Sequence, residues 1–160
     1  MTSLRVLVGC ETSGEVRRAF LDHGHDAWSC DILPADDRSN RHMQCDVRDV
    51  LNDNWDLLVV MHPPCTRLCN SGVRWLHTPP PGRTKSEMWA KLEDGAALFS
   101  ACWNAPVPRV AVENPVMHKH AKARIENFQP ANLTVQPWWF GEKAFKGTGL
   151  YPRGLPPLFR

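Results

Sequence analysis

Three polar groups in this 160-residue chain sit where sheet enzymes do chemistry. The first is Cys65, which follows Leu57-Leu58-Val59-Val60-Met61-His62-Pro63-Pro64. An apolar run rich in β-branched residues predicts a buried strand, and Pro63 and Pro64 end it because proline cannot donate to a sheet ladder. Cys65 is then held on a stiff turn at a strand's carboxyl end, where open α/β sheets bind ligands. A thiol there reads as a nucleophile, since even a small thiolate fraction reacts well. A buried cysteine acting as a small hydrophobe fits the same tripeptide. The second group is Glu113-Asn114-Pro115, which closes a predicted strand at Val110-Ala111-Val112. Its carboxylate is either catalytic or an ordinary turn acid.

The third group is the turn Gly9-Cys10-Glu11-Thr12-Ser13-Gly14, between a predicted strand Leu4–Gly9 and a predicted helix Glu15–His23. Thr12 and Glu15 have capping-box spacing. Free amides at such a turn and helix start can face a ligand. The turn is neither G-x-G-x-x-G nor a P-loop. Asp31 ends a second strand, Asp26–Asp31, at the separation from the turn where dinucleotide sites place a ribose-binding acid. Capping its own turn is the alternative. Asp46 falls near the end of a third strand, His42–Val47.

These groups need elements to position them. A short helix at Arg48–Asn52 precedes the central strand. Asn70–Thr84 lacks periodicity and contains Pro79-Pro80-Pro81-Gly82, which predicts a long loop beside Cys65 carrying Arg67's neighbours Arg74, Trp75 and His77. Thr84 and Glu87 open a helix to Trp103, with Met88, Leu92, Ala96, Phe99 and Trp103 on its core face. A basic helix His118–Ile125 with a solvated charged face follows. Strands at Leu133–Phe140 and Gly149–Tyr151 close the sheet, and Gly154–Leu158 forms a strap.

A net charge of +2 does not by itself argue for nucleic acid. No apolar run is long enough to span a membrane. Met1-Thr2-Ser3 runs straight into a strand, so the six cysteines are expected as reduced thiols in a cytoplasmic setting. No structural metal is expected from Cys65, Cys69, His62 and His77, because no second cysteine pair has ligand spacing.

In order and spacing, the glycine turn with Asp31, Pro63-Pro64-Cys65 and Glu113-Asn114 resemble the cytosine-C5 DNA methyltransferases. Short phage and prophage members are most similar. They share Gly-Cys-Glu-x-Ser-Gly, His-Pro-Pro-Cys, Glu-Asn-Pro and a closing Phe-Gly…Lys-x-Thr stretch. The resemblance covers nearly the whole chain and implies an α/β Rossmann-like S-adenosylmethionine methyltransferase fold. It implies one minimal catalytic domain over residues 1–160, mostly parallel sheet with a closing antiparallel strand pair, without the family's target-recognition domain. Cys65 would add to C6 of a pyrimidine, and Glu113 would hydrogen-bond N3 and the amino edge. Pro64, Arg67, Asn114, Lys146 and Thr148 would contact substrate. S-adenosylmethionine would lie against Gly9, Cys10, Glu11, Thr12, Ser13, Gly14 and Pro63, with Asp31 on the ribose and Asp46 on the adenine. The family's Phe-x-Gly-x-Gly is here Val8-Gly9-Cys10-Glu11-Thr12, and its Gln-x-Arg-x-Arg falls on Ala144-Phe145-Lys146-Gly147-Thr148.

The expected function is therefore methylation of cytosine C5 in DNA through a Cys65–C6 adduct. Duplex DNA would need base flipping, with a homodimer or separate partner supplying recognition. If phage-encoded, the protein would work in the bacterial host cytoplasm. The alternative keeps thiol addition but uses a free pyrimidine nucleotide, or removes a C5 substituent, for example by decarboxylation, without a methyl donor. A non-enzymatic binding module is a third reading, and the pairing of Cys65 with Glu113 argues against it.

Overall fold

The two most apolar runs, Val6–Val8 and Leu57–Val60, lie side by side near the centre of a seven-stranded sheet. The computed structural model describes residues 2–159; Met1 and Arg160 lie outside the described residues. The strands are β1 (Arg5–Gly9), β2 (Asp26–Asp31), β3 (His42–Gln44), β4 (Leu57–Val60), β5 (Arg109–Pro115), β6 (Leu133–Val135) and β7 (Thr148–Arg153). The helices are α1 (Glu15–Asp22), α2 (Lys85–Trp103) and α3 (Lys119–Lys122). The strand order is β3-β2-β1-β4-β5-β7-β6. The chain steps outward from β1 to β3 and then returns to β4, so the order reverses between β1 and β4. In open α/β sheets ligands bind in the crevice outside the carboxyl ends at such a reversal.

Alternation along the strands divides the core. Val6, Val8, Ala27, Leu57 and Val59 face α1, where Val16, Phe20 and Leu21 pack. Leu7, Leu58, Val60, Val110 and Val112 face α2, which covers them with Met88, Leu92, Ala96, Phe99 and Trp103. Those five side chains are all at most 6 % exposed. Full burial of a large apolar side chain contributes roughly 1.5–3 kcal/mol, against about 1 kcal/mol for a helix cap. Packing therefore fixes α2, and the Thr84–Glu87 capping box, present as expected, sets where it begins.

Several elements depart from the sequence reading. Only β7 is reversed: it pairs antiparallel with both β5 and β6, so β6 runs with the parallel strands. The expected closing antiparallel pair, β6 with β7, is present, and β7 is inserted between β5 and β6. The Thr12–Glu15 capping box does not form. Gly14 is the residue at the start of α1, and the Glu11 carboxylate caps it instead. The third strand stops at Gln44, and Asp46 caps a 3₁₀ turn over Val47–Val50. Asn70–Leu76 is a 3₁₀ segment rather than open loop, because Leu76 is 1 % exposed and anchors it to the core. The helix expected from His118 is one turn, Lys119–Lys122, and Leu133–Phe140 is a three-residue strand followed by a 3₁₀ turn at Pro137–Phe140. No helix among the described residues is long and apolar enough to cross a membrane.

Candidate active site

Cys65 lies beyond the end of β4, on the turn set by a buried Pro63 and an exposed Pro64. The turn closes on itself: the amides of Leu68 and Cys69 both donate to the Cys65 carbonyl, at 2.9 and 3.0 Å. Glu113 arrives from β5. That strand outlasts its parallel neighbour, since Val60 pairs with Val112 and β4 then ends. On its other side β5 stays paired to β7, with Glu113 opposite Leu150 and Asn114 opposite Gly149. Glu113 is therefore held in a strand, not on the turn expected after Val112.

Two segments rivet these groups together. The amide of Asn70 donates to the Val116 carbonyl at 2.9 Å, and the amide of His118 donates to the Leu68 carbonyl at 3.0 Å. A single bridge joins Cys69 to Met117. His118 adds a side-chain tie: Nδ1 accepts from the Ala121 amide at 3.1 Å, which leaves Nε2 to donate to the Arg67 carbonyl at 2.7 Å. The charged face expected to be solvated thus begins with a buried histidine.

Cys65, Glu113 and Lys146 share one electrostatic site. Burial pushes the Glu113 carboxyl from its ordinary 4.5 up to about 7, and Lys146 opposes the shift. Burial also raises the Cys65 thiol above its ordinary 9.0; Cys69 and Glu113 add to this while Lys146 lowers it. Desolvation disfavours the charged form of both acids, and the ammonium restores part of it. The result is a thiol and a carboxyl within electrostatic reach of Lys146, the carboxyl raised to about 7.

The other expected substrate contacts are placed differently. Asn114 is 0 % exposed, and neither its Oδ1 nor its Nδ2 has a hydrogen-bond partner. Arg67 is half-buried, with Nη1 buried and unpartnered. Thr148 Oγ1 donates to the Lys146 carbonyl at 3.2 Å, so it shapes the Lys146 turn. A cleft of about 440 Å³ adjoins the Cys65 turn, with Arg48, Pro64, Thr66, Arg67, Lys91 and Leu98 in its wall. That volume lies within the roughly 300–1,000 Å³ typical of small-molecule sites.

At the β1 end the structure gathers Gly9, Cys10, Asp31 and Asp46. Gly9 pairs with both Cys30 and Val60. A Cβ there would lie 2.8 Å from Val47 Cγ2, so the close approach of Val47 requires glycine. Cys10 adopts φ 57°, and burial together with Asp31 and Asp46 pushes its thiol up to about 12. The side chains of the turn are largely spoken for. Glu11, 1 % exposed, accepts from the amides of Val16 and Arg17 at 2.6 and 3.3 Å. Thr12 Oγ1 donates to Asp36 at 3.0 Å, and Ser13 Oγ accepts from the Glu15 amide at 3.3 Å. Asp31 Oδ1 accepts from the Leu33 amide at 2.9 Å, the turn-capping alternative, while no hydrogen bond reaches its Oδ2 among the described residues. Arg48 engages both oxygens of Asp46 and holds that carboxyl below its ordinary range. Cofactor contacts from this turn would come chiefly from backbone amides, Gly9, Gly14 and the carboxylate of Asp31. All six cysteines are free thiols, and no group of three metal-ligating side chains occurs among the described residues.

Sequence reasoning missed Gly72. A Cβ built there would stand 1.8 Å from the Thr66 carbonyl oxygen, so the 70–76 segment seats backbone on backbone against the Cys65 turn. No local signal marks it, because the contact is tertiary. Gly72→Ala is expected to destabilise the fold by about 1–3 kcal/mol, the usual cost of overpacking, and to lower activity by shifting the turn. Thermal melting checks this; an unchanged melting temperature would mean the segment is not seated there.

No protein-family model matches the chain. No curated protein matches it either. Among solved structures, the crystal structure of PH0851 is similar, with a TM-score of 0.51 and 12 % sequence identity. The match covers 94 % of this chain and 42 % of that one, so the chain spans less than half the length of its structural relative. At that identity the likeness shows a common α/β fold and carries no information about activity.

Proposed function

We propose that the protein is a cytosine-C5 methyltransferase acting on DNA, with S-adenosylmethionine as methyl donor and Cys65 as covalent nucleophile. The observation that carries the reading is that the adjacent ends of β4 and β5 bring Cys65 and Glu113 into one electrostatic site, with Lys146 from the connection before β7. Carbon C5 of cytosine is a poor nucleophile until something adds at C6. Cys65 gives its proton to solvent, and the thiolate bonds to C6 as the C5–C6 double bond opens. Glu113, about half protonated near neutral pH, donates a hydrogen bond or proton to N3 from its acid form as negative charge develops there. Stabilisation that appears only during addition raises the rate. Lys146 favours the thiolate and balances the carboxylate that Glu113 becomes. Bound S-adenosylmethionine would supply the electrophilic methyl group. Loss of the C5 proton to water then re-forms the C5–C6 double bond as the C6–S bond breaks, Cys65 leaves as thiolate, and any proton given to N3 returns to Glu113.

The fit of the β1 turn to that cofactor rests on the crevice where strand order reverses and on the carboxylate of Asp31 at the end of β2. One observation favours a second reading. Glu11 and Asp46 are committed to internal partners. A donor-free enzyme, adding Cys65 to C6 of a pyrimidine nucleotide and releasing a C5 substituent, would need neither. Calorimetric titration with S-adenosylmethionine and S-adenosylhomocysteine separates the two. Micromolar binding of both is expected. A folded protein that binds neither, yet forms a Cys65-dependent adduct with pyrimidine nucleotides, would replace the first reading with the second.

A further inference from the structure

We infer that the connection between β6 and β7, residues 136–147, is a stacking platform for the unpaired bases of single-stranded DNA, set beside the Cys65 site. The inference deepens the proposed function, on which it rests for the chemistry at Cys65. Its own observations lie elsewhere. Phe145 is 89 % exposed and Phe140 76 %, and Trp138 on the same connection is 45 % exposed. Rings left in water this far contribute little to folding, and three on one connection mark a segment whose apolar surface something else covers. Trp138, Phe140, Leu133, Val135 and Phe159 line a groove of about 420 Å³ along the edge strand.

Charge identifies the occupant. The stretch Phe140-Gly141-Glu142-Lys143-Ala144-Phe145-Lys146 interleaves rings with two lysines and one glutamate. Apolar rings alone would suit a protein partner. Rings alternating with ammonium groups suit a chain that alternates bases with phosphates. The platform also leads to the thiol: Lys146, next to Phe145, acts on both Cys65 and Glu113. The backbone just after it is held, since the Val116 amide beyond Glu113 donates to the Gly147 carbonyl at 3.2 Å. Val116, 45 % exposed, adds apolar surface there. Ring faces can stack only on bases that are already unpaired, so duplex DNA would present nothing to them.

The test is fluorescence anisotropy of the whole protein with a labelled single-stranded 20-mer oligodeoxynucleotide, with the same sequence as duplex, and with a free deoxycytidine nucleotide as competitor. The single strand should bind at least tenfold more tightly than the duplex. Phe145→Ala and Phe140→Ala should each weaken it about 5- to 100-fold, the range of one lost base stack. Lys143→Ala should flatten the slope of log K against log salt by about 0.7. These side chains are exposed, so melting temperatures should not move. Unchanged affinity in the double phenylalanine variant, duplex preference, or no binding to the single strand in low salt would each overturn the inference. Binding does not require the reaction, so Cys65→Ser serves as the control. Ring-dependent binding without any Cys65 adduct would leave the platform standing and remove the catalytic reading. An adduct with ring-independent binding would do the reverse.

Discussion

Cys65→Ser is expected to abolish turnover while leaving the fold intact. The substitution changes one atom on a turn whose geometry comes from Pro63, Pro64 and the Leu68 and Cys69 amides, none of which uses the sulfur. Stability should change by less than about 1 kcal/mol. Reactivity should collapse, because a serine hydroxyl is far less acidic than a thiol and no base is paired with it here. A loss of at least about 10³-fold in kcat, some 4 kcal/mol of barrier, is the expected scale. Cys69→Ser is the matched control. Cys69 is 6 % exposed, with its sulfur 3.0 Å from Ser71 Oγ, and serine there should retain activity. Intact-protein mass spectrometry with a pyrimidine fluorinated at C5 gives an independent readout. Fluorine cannot leave as a proton, so the adduct should accumulate on the wild type and not on the Cys65 variant. A fully active serine variant would sink the covalent mechanism.

What the sequence made legible is what short-range chemistry controls. The strand ahead of Pro63-Pro64, the capping box at Thr84 and Glu87 and the core face of α2 each follow from local pattern, and each is present. The partnership of Cys65 with Glu113 was legible only through resemblance. The two residues are far apart in the chain and come within electrostatic reach because β4 and β5 are adjacent, with β5 running longer. Tertiary contacts hid the rest. Glu11 could not be told from a ligand-facing acid, because its helix-capping role depends on Gly14 turning through φ 73°. Gly72 looked like loop glycine until Thr66 stood against it. His118 looked like one more surface cation, whereas its two nitrogens stitch the Cys65 turn to the end of β5.

Glu113→Gln is expected to lower kcat/KM by about 10²- to 10⁴-fold, the usual worth of a positioned acid, and to change the shape of the pH profile. In the wild type the reactive form carries Cys65 as thiolate and Glu113 as acid. Below about pH 7 Glu113 is fully protonated, so the rate follows the thiolate fraction and rises tenfold per pH unit. Above that value each unit gains thiolate and loses acid in equal measure, and kcat/KM is flat. It falls only beyond the raised value of Cys65. Glutamine cannot ionise, so the break near neutrality should vanish and the rate should climb until the thiol itself titrates. Stability should respond as well. The Glu113 carboxyl is raised by folding, so its contribution is complete below its unfolded value of 4.5 and is lost as pH rises through about 7. The glutamine variant should therefore gain melting temperature relative to wild type at pH 8 and gain nothing at pH 4. If the break persists in the variant, Glu113 is not the acid. A lost break with unchanged relative stability would mean that the carboxyl titrates only when substrate is bound.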